Sequence, residues 1–400
     1  MSTGSALKQK TMGHAGDRMK ILDKPRYKVI GQITPFDERD NVQARNTLVP
    51  GSKEYTAFYR RHPEWEKKDQ EIRELPGMSG VGNPLDLPFL GQQMENLIRY
   101  GSMVDGPVSP RRLELSAERA TTKIKGFAHH QGADLVRIGP LNPAYVYTNI
   151  GKTWHDPARK YGEPINLDHK NAVSIAVRIN PYLIKTGPVL SEVIEIMRTY
   201  VQAATIAVTV AGYIRALGYP ARAHIISNYQ VLCIPLAIDA GMGELGRHGL
   251  MITKELGSCL KLATVTTDLP LAHDSPVDIG VDEFCRDCKI CAESCPSGAI
   301  SYGKKKVTRG VEKWRISPEA CFTVWNETGT DCGVCVASCP WTKPRTWFHD
   351  VARELATRKF KAGLWMSRGE KLVYGKFKPH PVPSWLEEPE PIWEKYKKLL

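Results

Sequence analysis

The chain has 400 residues, of which 42% are hydrophobic and 24% charged, enough for one large domain or two to three smaller ones with a real core. That mixture excludes a disordered, collagenous or coiled-coil chain. Fifty-five Lys and Arg against 43 Asp and Glu leave a formal charge of +12, which favours anionic partners such as nucleic acid, phosphorylated cofactors or acidic redox proteins without choosing among them.

Residues 1–115 are rich in Pro, Gly and charge, with short helical patches at Glu54 to Arg61 and Gln92 to Tyr100. They read as an irregular wrapping segment without its own core. The first residues carry no apolar run of the secretory kind. A cytoplasmic protein has this appearance, as does an exported protein whose leader has been removed. No period of 20–50 residues repeats along the chain, so a solenoid or propeller is not expected.

From residue 116 the pattern tightens into a second region, 116–275. Leu113 to His130 has helical spacing, and Asp134 to Ile138 and Asn171 to Ile179 read as strands. Between these strands lies a polar, turn-rich insertion at 149–170. Pro188 to Leu217 is long and apolar-periodic and closes at Gly218, a helix stop. Strand-like runs follow at Ala221 to Ile226, Leu250 to Thr253 and Leu260 to Thr266. The alternation predicts a layered α/β or α+β domain. The uncharged runs Tyr200 to Ile214 and Ala223 to Ile238 fall short of the roughly 20 apolar residues that cross a bilayer, so no integral membrane span is expected.

The third region, 276–345, holds eight of the ten cysteines. Cys285, Cys288, Cys291 and Cys295 before Pro296 have the bacterial ferredoxin spacing for 4Fe–4S clusters. Cys332, Cys335 and Cys339 before Pro340, with Cys321 upstream, form a degenerate second copy. A tight three-Cys loop supplies three thiolates to a cubane, and the Cys before Pro is carried to the other cluster. The expected sets are therefore Cys285, Cys288, Cys291 with Cys339, and Cys321, Cys332, Cys335 with Cys295. Zinc ribbons seldom use two three-Cys runs each ending Cys-Pro, and disulfide frameworks belong to small secreted domains. Cys233 and Cys259 lie in apolar stretches and read as buried spectators.

A small ferredoxin would not need the 280 residues that precede the cysteines, so a catalytic domain with another redox centre is expected. Gly241-Met242-Gly243-Glu244-Leu245-Gly246 spells a dinucleotide fingerprint, but no helix pattern opens after it. No Walker loop, zinc-protease helix or haem-attachment motif occurs. Lys304-Lys305-Lys306 reads as a solvated turn and a docking point for an acidic electron donor. Aromatic and basic residues do not interleave as in nucleic-acid binders, so no nucleic-acid partner is expected. The last region, 346–400, carries Trp347, Trp365, Trp385 and Trp393, read as packing staples of a wrapping tail.

The runs "IRALGYPA" (Ile214 to Ala221), "IPLAIDAGMGELGRHGLMIT" (Ile234 to Thr253) and "TTDLPL" (Thr266 to Leu271) resemble the corrinoid-dependent reductive dehalogenases. "EFCRDCKICAESCPSGAIS" (Glu283 to Ser301) and "CFTVWNETGTDCGVCVASCPW" (Cys321 to Trp341) continue the resemblance in the same order. It implies a nitroreductase-like domain that buries a cobalamin, beside a ferredoxin-like module with two 4Fe–4S clusters. The chain lacks an Asp-x-His-x-x-Gly motif, in keeping with a base-off corrinoid. The resemblance makes Tyr200 the proton donor, counted back from Tyr219, and Lys261 its supporting cation. Many members read Gly-Pro-Arg-x-Arg-Leu where this chain has Gly257 to Leu262. Asn228 corresponds to a polar residue of the pocket. Gly243, Glu244, Leu245, Gly246, Arg247, His248 and Gly249 form the expected corrinoid contact, with Arg247 and His248 at its phosphate.

The implied activity is reductive removal of halide from an aryl or alkenyl organohalide. Electrons would come from a low-potential donor such as ferredoxin, flavodoxin or a reductase, and a homodimer is compatible with the chain. The rival within the superfamily is an epoxyqueuosine reductase-like enzyme acting on tRNA. That family usually reads Gly-Trp-x-Gly-Lys where this chain has Gly243 to Arg247. A non-catalytic iron–sulfur carrier is the rival of another class.

Overall fold

The computed structural model describes residues 20–387, except 78–79, 82, 155, 157, 227, 344–345, 348, 350, 352–368 and 370–376. Its centre is a four-stranded sheet in the order Leu135–Pro140, Asn171–Arg178, Leu260–Thr267, Ala221–His224. All three pairings are antiparallel, so the layered domain is of the α+β kind. Strand Asn171–Arg178 is buried at every position but the last, because helices and loops cover both faces.

Across the sheet lies the helix Leu190–Ala216. It spans 27 residues, longer than its uncharged run, because it continues back through Arg198, Glu195 and Glu192. By length and composition it would cross a bilayer, contrary to the expectation from the sequence. Two-thirds (67%) of its most apolar window is buried inside the fold, as in the core helix of a layered domain. Ile206, Ala207, Val210, Ala211 and Ile214 join Val173, Ile175, Val177, Ala263 and Val265 of the sheet in the largest apolar cluster. Gly218 follows the helix at φ +89°, a left-handed turn that suits glycine. Helix Ala117–His130, capped by Ser116, adds Ala120, Ile124 and Ala128 to the same core.

The N-terminal segment has more regular structure than its composition suggests, with helices at Lys53–Arg61, Pro63–Arg73 and Leu87–Gly101. Leu48, Phe58 and Tyr59 form a small apolar cluster there. Buried Arg45 bonds Asp69 at 2.7 Å and reaches Glu319, at 2.6 Å, in the cysteine-rich region. A buried arginine between two carboxylates ties the segments together because losing either partner leaves a charge without water. The glycines of the dinucleotide-like run lie around a tight hairpin, Glu244–Leu245 paired with Met251–Ile252. No helix follows them, so that fingerprint is coincidental. Trp347 and Trp385 are largely exposed (79% and 57%) and do not act as buried staples. Trp385 meets Phe89 edge-on, and Trp365 and Trp393 lie outside the described residues.

Candidate active site

A cavity of about 560 Å³ opens between the sheet domain and the cysteine-rich region, within the usual size of cofactor and ligand sites. On one side the helix Leu190–Ala216 presents Glu192, Ile196 and Tyr200, spaced by four residues and so stacked on one face. The end of strand Leu260–Thr267 contributes Leu260, Lys261 and Leu262. Lys261 comes from a strand and Tyr200 from a helix, yet the ammonium nitrogen sits 4.5 Å from the centroid of the Tyr200 ring. The Lys261 amine also lies 3.8 Å from an Asp331 oxygen. Burial pulls its pKa down, but the attraction of Tyr200, Asp331 and Glu192 outweighs this and brings it to about 12. Lys261 is therefore a cation at neutral pH, held against the Tyr200 ring. Glu192 is pushed well above the ordinary carboxylate range by burial and by its neighbour Asp331.

The opposite wall carries Cys295, Cys321, Cys332 and Cys335. The lining includes none of Cys285, Cys288, Cys291 and Cys339. The electrostatic neighbours of Cys339, Cys335 and Cys332 fall within these two sets, while Cys291 feels Cys335 of the other set as well as Cys285 and Cys288. Cys339 is perturbed, after burial, by Cys285, Cys291 and Cys288, although 48 residues separate it from Cys291. Cys335 feels Cys321 and Cys295, and Cys332 feels Cys335 and Cys321. The two groups adjoin where Cys291, Cys295 and Cys335 pack with Ala292 and Ile300. Burial drives the Cys285 and Cys321 thiols up to about 11 and Cys335 to about 12. Burial raises the Cys233 and Cys259 thiols in the same way, so it is the grouping of the eight thiols that marks them as ligands. Among the described residues no three His, Cys, Asp or Glu side chains converge on a single-ion site.

Asn228 is not part of this cavity. Its amide is fully buried and committed to Arg222 at 2.7 Å, Gly101 at 3.1 Å and Asp156 at 2.8 Å. The next residue, Tyr229, lines the cavity instead and donates to the Leu262 carbonyl at 3.3 Å. The expectation that Asn228 lines the pocket is not met, because its amide is taken up by the buried polar groups on the other side of the loop. Cys233, read as a spectator, also lines the cavity, with its thiol raised to about 12 by burial. Cys259 is buried as expected.

Of the seven residues expected at the corrinoid, His248 and Gly249 line the cavity. His248 is buried, and burial lowers its pKa to about 4. Its Nδ1 accepts the Leu250 N–H, and its Nε2 is buried without a hydrogen-bond partner. An orphaned ring nitrogen on the wall of an apolar cavity fits a large polar-edged cofactor. Arg247 points elsewhere. Its guanidinium donates to the carbonyls of Cys285, Arg286, Ser301 and Gly303 and lies 4.7 Å from the Trp314 ring. It therefore fastens the loop of the first cysteine set and does not meet a cofactor phosphate. The Glu244 carboxylate accepts the N–H groups of Ile279 and Val281, and burial raises its pKa to about 7. Gly243, Leu245 and Gly246 belong to the hairpin and are absent from the cavity lining. Lys305 is paired with Asp282 and lies 4.5 Å from the Trp314 ring, whereas Lys304 and Lys306 are exposed.

Residues 284–343 match the family model described as a 4Fe-4S dicluster domain. The chain is 33% identical over 281 residues to a tetrachloroethene reductive dehalogenase of Desulfitobacterium hafniense, covering 60% of this chain and 51% of the relative. A tetrachloroethene reductive dehalogenase of Sulfurospirillum multivorans is 30% identical over 286 residues, 64% of this chain and 57% of the relative. The chain thus spans about half the length of the curated relatives it matches. An epoxyqueuosine reductase of Aliivibrio fischeri matches a shorter stretch, 32% identical over 124 residues, 30% of this chain and 32% of the relative. Among solved structures, the catabolic reductive dehalogenase NpRdhA in complex with 3-bromo-4-hydroxybenzoic acid superposes with a TM-score of 0.72. Sequence identity there is 24%, and the match covers 90% of this chain and 49% of that one. The chain is thus similar in sequence to the reductive dehalogenases over about 60% of its length, and its fold is like that of NpRdhA.

Proposed function

We propose that the chain is the catalytic part of a cobalamin- and iron–sulfur-dependent reductive dehalogenase. The net change would be R–X + 2 e⁻ + H⁺ → R–H + X⁻. One observation carries this reading: the cavity holding Tyr200 and Lys261 is walled on its other side by all four thiols of one cysteine set. A proton donor and an electron source therefore share one chamber. The curated relatives named for tetrachloroethene reductive dehalogenation support the same chemistry.

In this reading Cys295, Cys321, Cys332 and Cys335 hold the cluster next to the cavity. Cys285, Cys288, Cys291 and Cys339 hold the outer one, where electrons arrive from a low-potential donor such as a ferredoxin, flavodoxin or reductase. His248, with its orphaned Nε2, and Gly249 border the corrinoid in a nitroreductase-like domain spanning about 116–275. When bound, a corrinoid supplies the low-valent cobalt that engages the carbon–halogen bond. Tyr200 holds the proton that replaces the halogen. The Lys261 cation against its ring would stabilise the negative charge that develops on the Tyr200 oxygen as the proton leaves. The apolar walls, including Ile184, Ile196, Leu260 and Val336, keep water from the reacting centre.

The test is composition together with turnover. Anaerobically prepared protein should hold about eight iron, about eight sulfide and one corrinoid per chain. After reduction it should release halide from a panel of chlorinated and brominated phenols and alkenes. Flavin in place of corrinoid, or full cofactors with no halide released from any member of the panel, would remove this reading. Iron and sulfide without corrinoid would favour an electron carrier.

A further inference from the structure

Lys261 is a flexible side chain whose role depends on where its amine rests. Four rotatable bonds separate that amine from the strand. Beside the Tyr200 side chain, whose ring centroid is 4.5 Å from Nζ, and the Glu192 carboxyl, the amine meets Asp331 Oδ2 at 3.8 Å. The Asp331 contact comes from the other wall of the cavity. Asp331 directly precedes Cys332, and its own side chain is only 12% exposed.

The backbone here turns sharply. Cys332 and Gly333 both lie in the left-handed region, at φ +71° and +61°. Gly333 N–H donates to the Asp331 carbonyl at 2.9 Å, and Thr330 Oγ1 accepts the Cys332 N–H while donating to the Pro188 carbonyl. A side chain at 333 would collide with the Glu192 carboxyl, so glycine is required for both conformation and space. This turn sends the Cys332 thiol into the second cysteine set and the Asp331 carboxylate toward Lys261. One short segment thus serves both walls.

We infer that Asp331 is a positioning residue that holds the Lys261 ammonium on Tyr200, so that folding of the second cluster's loop sets the proton-donating pair. This rests on the reading of Tyr200 as proton donor and names the residue that links it to the cluster. The ring contact alone is weakly directional, because a cation slides over an aromatic face at little cost. The carboxylate fixes the amine from the far side. Glu192, on the same helix face as Tyr200, is the other acid beside Lys261 and provides the natural comparison.

The experiment uses the holoprotein in four forms: wild type, Asp331→Asn, Asp331→Glu and Glu192→Gln. Iron and sulfide content and the paramagnetic spectrum of the reduced clusters are recorded first. Acylation of Lys261 by an amine reagent, followed by mass spectrometry, then reports whether the amine stays in place. Asp331→Asn should keep the clusters, acylate at Lys261 about 10-fold faster and lose about 10-fold in kcat with KM within twofold. Asp331→Glu should restore most of both. Unchanged acylation in Asp331→Asn would overturn the inference, as would release of Lys261 by Glu192→Gln alone. Loss of the second cluster in Asp331→Asn would also overturn it, because the residue would then act only by building the loop. If wild type releases no halide, the dehalogenase reading fails, while the acylation arm still decides where Asp331 holds Lys261.

Discussion

The two walls of the cavity are built in opposite ways. Tyr200 and Lys261 stand on regular elements, a helix of 27 residues and the strand that pairs with two neighbours in the sheet. Their positions follow from the largest apolar core of the molecule. The cysteine wall joins short turns and four-residue helices, such as Ile290–Glu293 and Val334–Ala337, to one longer helix, Pro318–Thr328, that carries Cys321. Its apolar cluster around Phe284, Ile290, Trp314 and Trp341 is small and includes the cysteines themselves, so metal would add much of its stability. The proton side should therefore survive loss of metal, and the electron side should not.

The largest expected effect breaks the electron side. Cys295→Ala should damage the cluster of Cys321, Cys332 and Cys335, leaving about four iron per chain and abolishing turnover. Iron analysis with paramagnetic resonance of the reduced protein checks this. Damage confined to the set of Cys285, Cys288 and Cys291 would show that the crossing of ligands is wrong.

The next effect falls on the proton side and leaves the metal untouched. Tyr200→Phe should retain iron and corrinoid while dehalogenation falls roughly 10²-fold or more, as for removal of a general acid. Lys261→Met should also lower kcat. The double variant should lose less than the product of the two single effects, because both residues act on one proton transfer. Multiplying effects would separate the pair.

These sites were not equally legible in the sequence. The cysteines declare themselves locally, because a cubane dictates the spacing of Cys285, Cys288 and Cys291. The Cys-Pro spacing also predicts that Cys295 and Cys339 change sets, and the fold places Cys339 beside Cys285, Cys288 and Cys291. Tyr200 and Lys261 are 61 residues apart, and no periodicity marks them; only the family resemblance singled them out. The strands at Asn171–Arg178 and Leu260–Thr267 were visible as β-branched runs, but their antiparallel pairing is a long-range contact that spacing does not encode. Arg247 and Asn228 misled for one reason. A polar residue near a predicted pocket has many ways to satisfy its hydrogen bonds, and both found backbone or buried polar partners instead.

That distinction yields a smaller effect. Asn228→Ala should cost about 1–3 kcal/mol of stability, by removing the buried amide's bonds to Arg222, the Gly101 carbonyl and half-buried Asp156. A lowered melting temperature with KM unchanged would support a purely structural Asn228, and an altered KM would return it to the pocket. His248 provides a pH test of the sheet-side wall. Burial keeps it neutral, with a pKa of about 4 in place of 6.5. Its contribution to stability is complete above about pH 6.5 and is lost as pH falls toward 4, a change of roughly 3 kcal/mol. His248→Gln should flatten that acid limb in denaturation curves taken between pH 4 and 7.

The joining of a proton donor to an electron source in one chamber is tested most directly by halide release, measured by ion chromatography. Wild type and Tyr200→Phe would be compared at equal iron and corrinoid content after chemical reduction. The predicted result is halide from wild type at a rate at least about 10²-fold above that of Tyr200→Phe. Equal rates from the two proteins would contradict it, and would move the proton to another side chain or to water.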